Sequence, residues 1–144
     1  MGLYTRALAT IAALPLAACA TTTDKQAGSP AALVGDEWVV EEIAGRGVID
    51  DARATLLFGP DGRLAGDTSC NRYFANYQVN GTQLRIGNAG VTKRACAPAV
   101  MDQEQRFLEV FNAVTSYRID PTGALLLSTP AGTTITAHRA SGAM

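Results

Sequence analysis

One histidine, one tryptophan and three cysteines are all that a chain of 144 residues offers to the commonest side-chain chemistries. That scarcity removes whole classes of function. Structural zinc wants four Cys or His ligands at paired spacings, and Cys19, Cys70 and Cys96 form no Cys-x-x-Cys. A thiol nucleophile needs a base within hydrogen-bond reach, and nothing in the sequence puts His138 beside Cys70. In "TTITAHRA" Ile135 and Ala137 alternate with Thr134, Thr136 and His138, so an inward Ile135 sends His138 to water. Glycine loops that cradle phosphate and the Gly-x-Ser-x-Gly elbow are both missing. The acidic pairs Glu41-Glu42 and Asp50-Asp51 are immediate neighbours, and neighbours on a strand face opposite sides. Paired-acid catalysis is therefore unsupported. No run of lysine or arginine exists, which argues against a nucleic-acid partner. The expectation is a protein with no enzymatic activity, no cofactor and no metal.

No apolar run reaches the roughly 20 residues that a bilayer-spanning helix needs. The N-terminus carries a shorter one, from Ala7 to Ala18, broken only by Thr10 and Pro15 and preceded by a single charge, Arg6. A basic start, a short apolar core and small residues before a cut mark an export signal. Here the small residues lead into a cysteine, Leu16-Ala17-Ala18-Cys19. This resembles the bacterial lipoprotein box, which implies a signal peptide at 1–18 and acylation of Cys19. The alternative is an ordinary secretory signal with an incidental cysteine. Ala20, rather than Asp, follows Cys19, and by the same resemblance that favours the periplasmic face of the outer membrane. The membrane, through the lipid anchor, is the one partner so implied.

Residues 19–33, with "ATTTDKQAGSPAAL" after Cys19, are small and polar and read as a flexible tether. The folded domain is then 34–140, enough for one core. Losing Arg6 from the 12 basic residues leaves 11 against 13 acidic ones, a nearly neutral mature chain.

Within the domain the dominant period is two. "EWVVEEI" (37–43) is β-branched and aromatic, a first strand. "ATLLFGPDGRLAGDT" (54–68) sets two apolar runs around Gly-Pro-Asp-Gly, a hairpin signal. "FANYQVNGTQLRIG" (74–87) repeats it around Asn80-Gly81, with Tyr77 and Val79 set against Leu84 and Ile86. One stretch differs: "PAVMDQEQRFLEVFNAVTSY" (98–117) places Val100 or Met101, Glu104, Phe107, Leu108, Phe111 and Val114 at steps of three and four. That is an amphipathic helix. Pro98 suits its first turn, and Asp102 and Glu104 lie toward the positive end of its dipole. "SYRID" (116–120) and the run 123–140 close the domain as a meander. Strands without helices between them argue against a parallel α/β sheet. The fold class expected is α+β, mainly β: a curled, barrel-like antiparallel sheet with one amphipathic helix packed on it.

Cys70 and Cys96 remain as an even pair in an exported domain. The periplasm oxidises thiols that can meet, and closing this loop contributes roughly 3–4 kcal/mol in the chain-entropy model. Two buried free thiols are the competing reading.

The segments "DEWVVEEI", "LLFGPDGRLAGDTSCNRYFANYQVNGTQLRI", "VTKRACAP" and "MDQEQRFLEVFNAVTSYRID" together resemble the META domain of HslJ-like heat-shock lipoproteins. The specific pieces are Cys70-Asn71 with Tyr77, Thr92 with Ala95-Cys96, and Glu104 with Phe107-Leu108. Three positions depart from the family pattern: Ser69 and Ala75 replace glycines, and Arg94 replaces methionine. The resemblance implies a compact β-rich domain with one helix and a link to heat, envelope or drug stress, without an established activity. It also implies that Asn71 and Tyr77 are structural turn residues, Asn71 through an amide that satisfies backbone groups. The functions left are a structural or interaction module in the cell envelope, or a binding module for a small hydrophobic ligand or an envelope protein.

Overall fold

The computed structural model describes residues 29–141; Cys19 and the signal segment lie outside them. Ten strands and one α-helix are found among the described residues. In chain order they are β1 (Glu37–Ile43), β2 (Arg46–Gly47), β3 (Thr55–Phe58), β4 (Arg63–Asp67), β5 (Arg72–Asn80), β6 (Gln83–Ile86) and β7 (Gly90–Val91). Helix α1 (Pro98–Asn112) precedes β8 (Ser116–Ile119), β9 (Leu125–Ser128) and β10 (Thr134–Arg139).

All pairings between strands are antiparallel, and eight strands form a ring in the order β1-β3-β4-β5-β6-β8-β9-β10. β10 returns to β1, pairing Trp38 with Arg139 and Val40 with Ala137, so the ring is closed. The curled sheet with one helix is thus a closed barrel, which leaves no exposed sheet edge in the ring where it is fully paired. β2 and β7 lie off the ring, on β1 and β5.

Period two sets which residues turn inward. Trp38 and Val40 on β1, Leu56 and Phe58 on β3, Leu64 on β4 and Tyr73 and Ala75 on β5 all join one core. On β1 the alternation breaks after Val40, and Ile43 is the next buried residue. A bulge at Glu41 causes this, since Val40 pairs with Ala137 while Glu42 pairs with Thr136. The rule that adjacent acids face opposite sides therefore fails at Glu41-Glu42: neither is buried, and the extra residue keeps both out of the core.

The hairpins form where the turn residues point. Tyr77 pairs with Ile86 and Val79 with Leu84. The turn itself sits one residue later than the Asn-Gly pattern predicts. Asn80 pairs with Gln83, so the two-residue loop is Gly81-Thr82, with Gly81 at φ +60° as the one left-handed residue. Glycine in the first central position is the II′ pattern, which matches strand twist as well as I′ does.

Helix α1 starts with Pro98 in its first turn and buries Gln103, Phe107, Val110 and Phe111. Met101, at the head of the expected stripe, is exposed. Phe107 and Phe111 stack at 5.3 Å, and Tyr73 meets them at 5.7 and 4.9 Å. Aromatic pairs at such separations contribute about 0.5–1.5 kcal/mol each beyond their area. None of the described helices is long and apolar enough to cross a membrane.

The folded region begins before the tether boundary at residue 33. Pro30–Ala32 form a 3₁₀ turn, and Leu33 is fully buried. The Leu33 carbonyl accepts from Trp38 Nε1 at 3.1 Å, and the Arg139 guanidinium lies 4.5 Å over the Trp38 ring. An apolar side chain that can reach the core is drawn in by burial, whatever the polarity of the residues before it.

Candidate functional site

The connection between β4 and β5, residues 68–71, is where most of the residues singled out in the sequence converge. Cys70 and Cys96 are joined by a disulfide, with their Cα atoms 5.9 Å apart. The bond ties the segment before α1 to the β4–β5 turn. Beneath it Asn71, 4 % exposed, uses every polar atom it has. Its Oδ1 accepts from the Arg94 backbone N–H at 2.7 Å and the Thr92 hydroxyl at 3.0 Å. Its Nδ2 donates to Glu104 Oε1 at 3.0 Å and Oε2 at 3.1 Å. Its backbone N–H donates to Glu104 Oε2 and Thr68 Oγ1, both at 3.0 Å. The Thr68 hydroxyl turns its own proton to the Glu104 carboxylate, and the Thr68 N–H donates to the Asn71 carbonyl at 2.7 Å.

Glu104 is therefore no surface partner of the helix dipole. It stands on the inward side of α1, one turn before Phe107, and its carboxylate accepts from two strand-side residues. Such charge-assisted bonds are roughly twice as strong as neutral ones. Beside it, fully buried Gln103 spans two more segments. Its Oε1 accepts from the Ile49 N–H at 2.8 Å, and its Nε2 donates to Ser69 Oγ at 2.7 Å.

Ser69 adopts φ +93°, in the left-handed region that a Cβ disfavours. That explains why glycine is the pattern at this position, and the Gln103 bond is what the serine gains in return. Ala75, the second departure, pairs with Leu64 inside a regular ladder, where no glycine conformation is required. Arg94 serves through its backbone N–H, so its side chain is free to vary.

Tyr77 is elsewhere. Six residues along β5 from Asn71, roughly 20 Å at 3.3 Å per residue, its hydroxyl donates to the Gly59 carbonyl at 2.7 Å. Its ring meets Phe58 edge-on at 5.0 Å. It braces the β3–β4 hairpin, so Asn71 and Tyr77 hold two different turns. Burial raises the Tyr77 pKa, helped by Asp61, and raises that of Tyr117. Burial also lifts Tyr73 well above the ordinary tyrosine value, with Asp67 adding to it. The Tyr73 hydroxyl donates to the Thr55 carbonyl at 2.9 Å.

His138 is half-exposed on β10 and lies 3.5 Å from Glu41 Oε2, with no link to the disulfide. Among the described residues no cluster of three His, Cys, Asp or Glu side chains is placed to hold a metal. A surface groove of about 540 Å³, lined by Asn76, Gln83, Arg85, Ile86 and Val114 among others, opens where β6 parts from β8 after their single pair, Gln83 with Ser116.

These features define a class: a small closed antiparallel barrel carrying one helix, with a disulfide and a buried asparagine bracing the β4–β5 turn. The chain belongs to the META domain family, whose model matches residues 31–142. Three solved structures share the fold. An NMR structure of a protein from Burkholderia xenovorans is 23 % identical, covers 96 % of this chain and 99 % of its own, and has a TM-score of 0.64. A second NMR structure is 24 % identical, covering 76 % of this chain and 93 % of its own at TM-score 0.60. The crystal structure of a duf4847 family protein from Bacteroides vulgatus is 17 % identical, with 74 % and 93 % covered at TM-score 0.56. No curated protein matches the chain.

Proposed function

We propose that this META-domain chain is a non-enzymatic lipoprotein of the bacterial cell envelope, anchored through Cys19 on the periplasmic face of the outer membrane. It acts as a structural or interaction module under heat, envelope or drug stress. One observation carries the non-enzymatic reading. The densest polar constellation spends its groups on itself: Asn71 and Glu104 satisfy one another, Thr68, Thr92 and the Arg94 backbone. A site built to touch substrate keeps donors or acceptors free to do so; this arrangement is suited to fixing a turn. The anchoring is tested by a Cys19→Ser variant expressed in the native host. It should stay as the longer, unprocessed precursor or leave the outer-membrane fraction, and a processed variant that still fractionates with the outer membrane would refute the anchor.

A second reading, a module that binds a small hydrophobic ligand or an envelope protein, draws on the groove beside Ile86 and Val114. The barrel interior itself holds Trp38, Phe58, Tyr73, Phe107 and Phe111, each fully buried. A ligand would thus bind at the wall. Native mass spectrometry of protein purified from cells tests this: co-purified lipid or drug supports it, and repeated blanks count against it.

A further inference from the structure

Four large apolar side chains are exposed among the described residues, and two of them are close neighbours. Leu57 pairs with Ala65 across β3 and β4, and Ala65 pairs with Phe74 across β4 and β5. The row lies on the outside of the barrel, with Leu57 45 % and Phe74 60 % exposed. Their chain neighbours Leu56, Phe58 and Tyr73 are the ones that fill the core. The outer row therefore stands outside the core. Shallow hollows of about 480 and 170 Å³ flank Phe74. Arg63 and Arg72 stand to either side, their side chains 80 % and 75 % exposed, and each holds its carboxylate loosely, at 3.5 and 3.7 Å.

The row also sits where the N-terminal segment joins the barrel. Val34 bridges Phe58, the residue next to Leu57, and Gly35 N–H donates to the Phe58 carbonyl. Ten residue steps separate Cys19 from Ser29, the first described residue. Ten steps of extended chain span at most about 35 Å.

We propose that the outer face of β3, β4 and β5 docks on the bilayer to which Cys19 anchors the chain. Leu57, Ala65 and Phe74 enter the interfacial layer, and Arg63 and Arg72 reach lipid phosphates. The proposal rests on the lipid-anchor reading. The row is flanked by loose ion pairs, Arg63 with Asp61 and Arg72 with Asp67, and ends on Glu37 beside Leu57. An apolar row among such paired charges suits the headgroup boundary, where arginine stems lie along apolar surface and the guanidinium stays wet. A short tether makes the encounter intramolecular, with effective concentrations in the mM range. A small row then suffices where a free domain would not stay bound.

The test fixes the anchor independently of acylation. The chain from residue 20 onward, with a hexahistidine tag in place of Cys19, is held on vesicles of phosphatidylethanolamine and phosphatidylglycerol that contain a nickel-chelating lipid. An environment-sensitive fluorophore is placed on Leu57→Cys or, as a control on a distant exposed turn, on Thr122→Cys, and brominated lipid is the quencher. Because an interfacial face sinks ~5–10 Å into the headgroup boundary, quenching at 57 should exceed that at 122 by about threefold. Phe74→Ser should remove the difference while circular dichroism stays native. Equal quenching at both positions overturns docking and leaves the anchor reading intact, since fractionation of the Cys19→Ser variant tests that separately. A photo-crosslinker at 57 in intact cells that captures a protein, or a second copy of the chain, in place of lipid also overturns it.

Discussion

Replacing Asn71 by aspartate changes one atom's chemistry and sets two carboxylates face to face. The Nδ2 that now donates to Glu104 at 3.0 and 3.1 Å becomes an oxygen, while the Oδ1 bonds from Thr92 and Arg94 are kept. Two charges at 3 Å repel by about 5–6 kcal/mol at an effective dielectric near 20. The pair has a cheaper response. Taking up one proton at pH 7 costs an ordinary glutamate roughly 4 kcal/mol, at about 1.4 kcal/mol per pH unit. The shared proton then restores one hydrogen bond. The expected loss in Asn71→Asp is therefore about 3–4 kcal/mol at neutral pH, a large share of a small domain's stability.

Two further results discriminate this account from mere disturbance of a buried turn. Adding Glu104→Gln to Asn71→Asp puts an amide where Oε1 stands and lets it donate to the new carboxylate, while the remaining oxygen still accepts from Thr68 and the Asn71 N–H. The double variant should regain at least about 2 kcal/mol, a coupling well above the few tenths expected of independent sites. The single variant's deficit should also shrink as pH falls from 7 toward 5. Its native state binds a proton that its unfolded state lacks, so stability falls with rising pH. Urea unfolding across pH measures both. If the double variant is no more stable than the single one, the pairing of Asn71 with Glu104 does not hold the turn.

Other expectations follow from single features. Ser69→Gly and Ser69→Ala both lose the Gln103 bond, but only alanine keeps the strained φ of +93°; glycine should be the more stable by about 1 kcal/mol in denaturant unfolding. A Cβ on Gly66 would stand 2.0 Å from the Thr55 carbonyl oxygen, so Gly66→Ala should cost about 3 kcal/mol or more through strand displacement. Reducing the disulfide of Cys70 and Cys96 should remove about 3–4 kcal/mol for a loop of this length; alkylation of both cysteines without reductant, read by intact mass, would refute the bond. Raised tyrosine pKa values make stability complete below pH 10 and lost above it, because the unfolded chain ionises first. Tyr73→Phe should lessen that alkaline slope by up to about 1.4 kcal/mol per pH unit, at a neutral-pH cost of about 1–2 kcal/mol for the abandoned Thr55 carbonyl.

Much of the barrel was legible because period two and turn chemistry act over a few residues. Strand β1 spans the residues its alternation marks, and the pairs of Tyr77 with Ile86 and Val79 with Leu84 follow from a turn at 80–82. Long-range closure was less legible. The pairing of β1 with β10 joins residues about a hundred positions apart, and no local pattern encodes it. The bulge at Glu41 was hidden because an apolar-polar string does not announce an inserted residue. At the site, Asn71 and the cysteines stood out by type. Thr92 was marked only through the family resemblance, and Thr68 and Gln103 not at all, since each looks like an ordinary surface residue until the turn and the helix meet. Glu104 did carry a signal: it occupies a core step of an otherwise apolar stripe, three residues before Phe107. A charge there demands a buried partner.

The placement of that partner explains why the polar knot exists. A barrel wall of hydrogen-bonded strands satisfies its own backbone, but the β4–β5 connection turns through a left-handed Ser69 and leaves N–H and C=O groups that no neighbouring strand can meet. The Asn71 N–H among them is taken by Glu104 and Thr68, while the Asn71 side chain, with donors and an acceptor on a short stem, holds the segments around the turn. Its acceptor side is met by the segment before α1, its donor side by α1 itself. The disulfide fastens that same segment to that same turn. Helix, turn and approach segment thus become one unit, in which Glu104 reads whether the helix is seated and Asn71 reads whether the turn is made. An aspartate at 71 breaks the first relation and keeps the second, which is why the Asn71→Asp and Glu104→Gln cycle separates them.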